Sequence, residues 1–442
     1  MTNCVYENLY NLEGKVPFFK ALPYSLEHAF AMLISNITPI LLILSNPAIN
    51  NNSETTINAI QNSLMLAGVG SLIQMFPIWK VGSKLPIFVG MNFVFMSVIN
   101  YIGVTYGYNA IASSVMIGSV FFIIISLLIK NLFKYIPKIS SSIVVFMIGL
   151  SLILSQIESI PLTDKTFYQI PNLAILLVTV ITFIAFSYGF KRKLSSIALI
   201  ISLVCGGITS IIFKTYDFEI IKNASLITYP KIINIKNMEF NLDAIIMVCM
   251  MFLITFTDVV GVVELLSSKN DSHEKTKRMV GSCMGIGTIS ILSGLFGCIP
   301  LTAYSINTGI IKKNNVINRF TLSLGAILLI VLSFFPILSA IVIALPNLII
   351  SLISIMIFIT ILNVGIKMLS QFQPTFKNLF IIIGSIIISI ILMFIIKLVN
   401  NIPAIVESFL SNSILISFVI SIILYYLIPN KKEKREENEK NE

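Results

Sequence analysis

Of the 20 carboxylates in this 442-residue chain, one lies deep inside an apolar run: Asp258, in Thr255-Phe256-Thr257-Asp258-Val259-Val260-Gly261. The others sit in polar connections, in the termini, or at the ends of apolar runs, as Glu27, Asp243 and Glu264 do. A carboxylate at membrane depth costs at least about 2.5–3.5 kcal/mol and is a functional candidate by default. Two kinds of chemistry suit it: accepting a hydrogen bond from a ligand N–H, and exchanging a proton with water. A structural role is also open, with the Asp capping the N–H groups of a neighbouring broken helix. His28, beside Glu27, is the only histidine in an apolar run, since His273 lies in a charged connection. Asp258, His28 and Glu27 are therefore the candidate proton-coupling groups. Ser35 falls seven residues after His28 and on the same helical face, followed by Asn36 and Thr38. Such a polar stripe serves equally well as interhelical glue. Cys4, Cys205, Cys249, Cys283 and Cys298 are scattered and read as small buried residues. No cluster has metal-ligand spacing, so no metal, cofactor or catalytic residue is expected.

Two short interrupted segments could supply backbone groups to the same site. The first reads Lys84-Leu85-Pro86-Ile87-Phe88-Val89-Gly90-Met91-Asn92-Phe93-Val94-Phe95, and the second runs from Gly297 through Pro300 and Tyr304 to Gly309. Pro86 and Pro300 interrupt regular helix, and Gly90 and Gly309 weaken it. Backbone released at membrane depth is tolerated only where it faces protein or a wet cavity. Half-helix N-termini also offer free N–H groups to an acceptor-bearing ligand. Proline and glycine are common in membrane helices generally. It is the matching placement in two halves of one chain that points to a transporter's midplane site.

The surrounding elements must be membrane helices. The chain is 56% hydrophobic and 11% charged, with a mean hydropathy of +0.93. Ordinary soluble domains carry roughly 25% charged residues, so a water-soluble enzyme or nucleic-acid-binding protein is excluded. Apolar runs fall near residues 24–45, 57–79, 84–100, 109–130, 138–157, 169–190, 194–213, 243–267, 278–296, 298–311, 319–338, 340–365, 376–397 and 411–428. The expected fold is an all-α polytopic membrane protein of 14 transmembrane segments, with segments 3 and 10 short and broken. With an even count the termini share a side, and that side then holds 24 of the 30 Lys and Arg residues. The positive-inside rule makes it the cytoplasm, so the net charge of +10 is a topology signal and no nucleic acid is implied. The first 20 residues lack an apolar core before Pro17, and no cleavable leader is expected. The expected organisation is a cytoplasmic segment 1–23, a first seven-segment repeat 24–213, an extracytoplasmic loop 214–242, a second repeat 243–428 and a polar tail 429–442. Seven is odd, so the second repeat is inverted relative to the first. Trp79, the only tryptophan, stands beside Lys80 at a span end and reads as an interface anchor.

Four stretches, in order, resemble the nucleobase–ascorbate transporter family, also called nucleobase:cation symporter family 2, which includes xanthine and uracil permeases. Tyr10-Asn11-Leu12-Glu13-Gly14-Lys15-Val16-Pro17 followed by Glu27-His28 resembles the family's opening, where Gln-His is usual. Gly90-Met91-Asn92-Phe93-Val94-Phe95 resembles its G-x-S-F-A-F, and Asp258-Val259-Val260-Gly261 resembles its E-x-x-G. Asn307-Thr308-Gly309, with Arg319 downstream, resembles the signature [QE]-N-x-G-x-x-x-x-T. The resemblance implies a core domain and a gate domain, with ligand held between the two broken segments and the eighth helix. It also implies proton- or sodium-coupled uptake, usually by a homodimer, in the inner membrane. By position, Asp258 stands at the substrate-binding carboxylate, and Ser35 and Phe93 match pocket walls. Tyr304, Ser305 and Asn307 fall in the tenth-segment contact region, with Asn92, Ile306 and Gly309 completing the expected substrate site. His28 matches a histidine that organises the core.

The departures bear on specificity. Asp258 is one methylene shorter than the usual Glu, so its oxygens retreat by about 1.5 Å. Ile306 replaces a Gln or Glu, Val262 a frequent polar residue, and Asn314 the signature's final Thr. A buried ligand group left unpaired costs about 1–3 kcal/mol, which disfavours an unchanged pose. The reading favours a proton-coupled importer of a purine such as xanthine or urate, the extra space beside Asp258 suiting a bicyclic ring. The alternatives are a uracil permease of the same family and a sulfate or bicarbonate transporter of the same seven-plus-seven layout.

Overall fold

The computed structural model describes residues 8–50, 52–128, 137–158, 160, 165–189, 198–232, 238–267, 272–396, 398, 406, 409–410 and 412–428. The expected tail 429–442 lies outside the described residues. Apolar runs become helices, and the Asn, Pro and Gly between them set the ends. The first elements are α1 (Phe18–Leu44), α2 (Ser53–Met75), β1 (Val89–Met91), α3 (Met96–Tyr106), α4 (Tyr108–Leu127) and α5 (Lys138–Glu158). There follow α6 (Ile170–Ile184), α7 (Ala198–Ile212), α8 (Phe218–Asn223), α9 (Leu242–Leu266) and α10 (Ser272–Leu295). The chain ends through β2 (Leu301–Ala303), α11 (Ser305–Asn314), α12 (Arg319–Ser333), α13 (Pro336–Ile343), α14 (Asn347–Leu369), α15 (Phe376–Ile396) and α16 (Ser413–Leu427).

These elements form two compact units. One combines Met1–Leu128 with Glu158–Met356, and the other combines Ile129–Ile157 with Ile357–Glu442. In the larger unit α10 packs on α4, α9 on α4, and α12 on both α1 and α2. In the smaller unit α15 packs on α16. There α5 and α14 meet backbone to backbone: a Cβ at Gly149 would lie 2.5 Å from Leu362 N, and one at Gly365 would lie 2.5 Å from Phe146 Cα. Small residues permit that approach.

Among the described residues, eight helices are long and apolar enough to cross a membrane, or nine if the bent pair α12–α13 is one span. Helix α2 is not among them because Gln61, Asn62 and Gln74 lie buried along it. Each ties α2 to backbone of another element. Gln61 donates to Ser333 O (2.8 Å), Asn62 to Lys231 O and Phe296 O (2.8 Å each), and Gln74 to Ser282 O (2.9 Å). The bonds from Gln61 and Asn62 fasten residues 228–231 of the long connection across the start of α2, where Lys231 Nζ also pairs with Glu54 at 3.0 Å.

Two expectations are corrected. The fold is mostly helical but not all-α, since β1 and β2 form a two-stranded antiparallel sheet. The apolar run 319–338 does not stay helical: α12 ends at Ser333 and the chain turns by 79° into α13. Pro336 is the cause, because it has no N–H to continue α12 and pushes Phe335 out of helical conformation.

The N-terminal stretch is built in rather than trailing. Asn318 Nδ2 reaches the carbonyls of Asn8 (2.9 Å), Asn11 (3.3 Å) and Gly14 (3.0 Å), while its Oδ1 caps α12 at Thr321 N (2.8 Å). Beside it the buried Arg319 guanidinium donates to Met75 O (2.6 Å) and to Glu13 Oε1 (2.7 Å). Asn318→Ala removes the cap and releases all three carbonyls, so it should cost about 1–2 kcal/mol. The check is the thermal midpoint of the detergent-solubilised protein by circular dichroism; an unchanged midpoint would contradict it. The Lys231 hydrogen bond and charge hold the exposed Glu54 carboxyl below its ordinary value of 4.5. A depressed carboxyl stabilises the fold above its unfolded pKa and loses that contribution as pH falls through the folded value. The wild-type midpoint should therefore fall below about pH 4.5 more steeply than that of Glu54→Gln.

Candidate functional site

A three-residue strand pair has almost no stability alone, and at membrane depth its outer edges must be satisfied by protein. Here Val89 pairs with Ala303, Gly90 with Thr302 and Met91 with Leu301. Side chains from three helices close the edges. Ser71 of α2 accepts from Val89 N (2.9 Å), Asn36 of α1 accepts from Met91 N (2.8 Å), and Ser290 of α10 accepts from Leu301 N (3.1 Å). Asn36 is itself locked by donating to Met32 O at 2.7 Å. Gly90 is required by this packing, since a Cβ would sit 2.6 Å from Met32 Cε and 2.9 Å from Asn36 Oδ1. Tyr304 N donates to Phe88 O (2.8 Å), so the chain leaves β2 already tied to the start of β1.

Beyond each strand the chain turns into a helix, and the candidate residues gather there. Asn92 caps the turn Phe93–Phe95 that opens α3, its Oδ1 accepting from Val94 N at 2.9 Å. That bond fixes which way the amide points, and its side chain lies beside the Asp258 carboxylate. Asp258 lies roughly 24 Å along a helix of about 37 Å. Its neighbours Thr257 and Val259 are buried while Asp258 stays partly accessible. Phe93 is buried next to Asn92.

On the other broken segment, Tyr304 precedes α11 and is 7% exposed. Its hydroxyl is turned toward Ser35, whose own proton goes to Ala31 O at 2.7 Å, and it makes no hydrogen bond among the described residues. Asn307 is 1% exposed with neither amide atom paired, and the Thr302 hydroxyl is unpaired in the same way. Leaving such groups unmet costs about 1–3 kcal/mol each, so this stretch holds donors and acceptors in surplus. The backbone of Ser305 and Ile306 forms the first turn of α11, and their side chains lie outside the described residues. Gly309 is exposed, with open space where a Cβ would stand.

Glu27 and His28 occupy a different level of α1. The His28 ring stacks on Phe88 at 4.9 Å and 4°, and Glu27 Oε2 accepts from Asn314 Nδ2 at 2.8 Å. Eight to nine residues separate them from Asn36, about 12–13 Å along the helix. The structure thus brings Asp258 together with Asn92, and Ser35 with Tyr304, but sets Glu27 and His28 against Asn314 and Phe88. Sequence reasoning missed Ser71 and Ser290. Lone hydroxyls in apolar helices were the available signal, and nothing in the sequence tells an edge-capping serine from one bonded to its own helix.

A family model for xanthine and uracil permeases, described as "Permease family", matches residues 19–398. The chain belongs to this family. A Clostridium perfringens protein described as a purine permease is 29% identical over 419 residues, covering 94% of this chain and 92% of that one. The xanthine permease XanQ of Escherichia coli is 26% identical over 357 residues, covering 77% and 76%, and a uracil permease of Paenibacillus larvae is 24% identical over 385 residues, covering 84% and 86%. Among solved structures, the transmembrane domain of a cyanobacterial bicarbonate transporter, BicA, superposes with a TM-score of 0.55 at 12% identity, covering 94% of this chain and all of that one. The murine anion transporter Slc26a9 gives 0.62 at 9% identity over 96% of this chain and 70% of its own. These neighbours have the seven-plus-seven fold.

The permease is thus a multi-pass membrane protein of a transporter family rather than of an enzyme family. Gly261, in the third of the family stretches, gives a direct test. Gly261 lies three residues after Asp258, on the same face of α9, and a Cβ there would meet nothing within 4 Å. Alanine should fit and gain up to about 1 kcal/mol of helix propensity. Gly261→Ala should therefore fold with an equal or higher midpoint yet transport more slowly, because the added methyl narrows the open space beside Asp258. Equal transport rates in reconstituted vesicles would show that the space is not used.

Proposed function

We propose that the permease imports a nucleobase by proton-coupled symport with alternating access, and that its substrate is a purine such as xanthine or urate. The observation that carries this is the placement of the Asn92 amide beside the Asp258 carboxylate, where the broken third segment meets α9. A carboxylate acceptor beside an amide donor matches a nucleobase edge, on which ring N–H groups alternate with carbonyls. Asp258 accepts the ring N–H and exchanges the coupling proton. Phe93 stacks on the ring, and Asn92, Ser35, Tyr304 and Asn307 supply polar contacts, with the N-terminal N–H groups of α11 toward a ring carbonyl. The xanthine and purine names among the relatives support the purine preference; the uracil relative makes uracil the alternative.

The wider reading is 14 spans in two inverted repeats divided at 214–242, both termini cytoplasmic, in the inner membrane, working as a homodimer with core and gate domains. The lysine and arginine distribution supports this topology. Sodium is the other coupling ion to test. The anion-transporter reading is disfavoured, because the apolar runs carry a deep Asp258 and no deep Arg or Lys.

Proteoliposomes given radiolabelled xanthine, urate, hypoxanthine, guanine and uracil, with an imposed inward proton gradient, test the proposal. Saturable uptake of a purine that collapses with an uncoupler is expected. Asp258→Asn should lower that uptake by tenfold or more, which corresponds to about 1.4 kcal/mol, and abolish its pH dependence. Uptake of sulfate or bicarbonate alone would overturn the substrate class. Intact pH dependence in Asp258→Asn would overturn the proton role.

A further inference from the structure

Between α2 and β1 the chain makes a tight finger. Ile78 N donates to Val81 O and Val81 N to Ile78 O, both at 3.0 Å, leaving Trp79 and Lys80 at the tip. Trp79 adopts φ +55°, a left-handed conformation disfavoured for a bulky side chain. It gains no burial in return: it is 83% exposed and Ile78 beside it is 67% exposed. The strained geometry therefore serves to project the indole outward, which calls for a function at the tip.

The base of the finger is rigid. Gly82 N donates to Gly281 O (2.8 Å) and Lys84 N to Gln74 O (2.9 Å). A Cβ on Gly82 would lie 2.1 Å from Ile73 O, and one on Gly281 would lie 2.2 Å from Gly82 O, so the finger is bolted to α2 and α10. At the tip, the Lys80 ammonium lies 5.1 Å from the Trp79 ring centre. No carboxylate stands within ion-pair distance of Lys80 among the described residues, whereas Lys84 at the base is paired with Glu13 (3.5 Å). A little further along the same end of the bundle, Phe320 is 47% exposed and packs on Phe76, over which Arg319 lies.

We propose that the Ile78–Val81 finger is a binding surface for the headgroup region of an anionic phospholipid, with Trp79 set at the interface and Lys80 pairing the phosphate. An indole with one apolar face and one N–H donor partitions to the headgroup level of a bilayer. An unpaired ammonium beside it selects for negative charge and against choline, which would otherwise compete for the ring face. The chain places its only tryptophan there, so intrinsic fluorescence reads this site alone.

The full-length protein is reconstituted in phosphatidylcholine vesicles containing equal mole fractions of brominated phosphatidylglycerol or brominated phosphatidylcholine, with bromine near the headgroup end or near the chain terminus. Expected are blue-shifted emission, quenching by bromine near the headgroup end, and stronger quenching by the glycerol lipid, roughly fivefold for one basic residue. Lys80→Gln should bring the two lipids to equal quenching with the emission unchanged, and Trp79→Phe should abolish the signal. Circular dichroism confirms that each variant is folded. Emission at the position of a water-exposed indole, or quenching only by the chain terminus, would overturn the interfacial placement. Equal quenching by both lipids in the wild type, or a preference that survives Lys80→Gln, would overturn the anionic headgroup assignment.

Discussion

Backbone polar groups released inside an apolar protein must find partners, and that demand organises the larger unit of this permease. Pro86 and Pro300 free two stretches of chain from helical pairing. The freed groups pair first with each other, as β1 and β2, and then with Ser71, Asn36 and Ser290 on the flanking helices. Each partner comes from a different helix, so forming the strand pair fixes α1, α2 and α10 around it. The site residues follow directly. Asn92 and Tyr304 are the first residues past the strands and mark the starts of helices; Asn92 caps its own, while the α11 start has no side-chain cap. The residues proposed to meet the substrate thus stand where regular helix was given up.

Asparagine recurs at these junctions. In a chain with few charges it offers a donor and an acceptor together without the cost of burying an ion. Asn36 receives Met91 N and returns its amide to α1; Asn318 caps α12 and collects three carbonyls of the N-terminal hook. Asn52, Asn241 and Asn412 cap α2, α9 and α16. Among the described residues, the buried Arg319 is treated similarly, held by Met75 O and Glu13 and covered by Phe76. These contacts link the N-terminal hook, the α2 end and the start of α12, and so connect the Trp79 finger to the base of the site-bearing strands.

How much of this could be read from residues alone depended on the range of the interaction. Asp258 stood out because depth in an apolar run is a local property, and the two broken segments stood out because proline and glycine act on their own backbone. The strands did not, since three residues are too few for a period-two pattern and the partners lie more than 200 positions apart. The bend at Pro336 was hidden by apolar residues on both sides, which made one long run of two helices. Glu27 and His28 were readable as polar residues in a span, but their neighbours, Asn314 and Phe88, come from other elements. The hook at residues 8–15 offered only a motif; its clasp by Asn318 is a contact across more than 300 residues.

Four of the departures from the family pattern meet in two pairs, while Val262 and Ile306 are not among them. Asp258 is shorter than the usual Glu, and Asn92 is longer than the usual Ser; the two side chains lie side by side. Glu27 replaces the usual Gln and Asn314 the usual Thr, and these two are joined by a hydrogen bond. In the first pair one side chain gains the reach that the other loses. In the second, a carboxylate that brings an unmet acceptor is given an amide donor. Substitutions that pair across elements keep buried polar groups satisfied while changing the side chains a ligand meets, which supports the altered recognition proposed above.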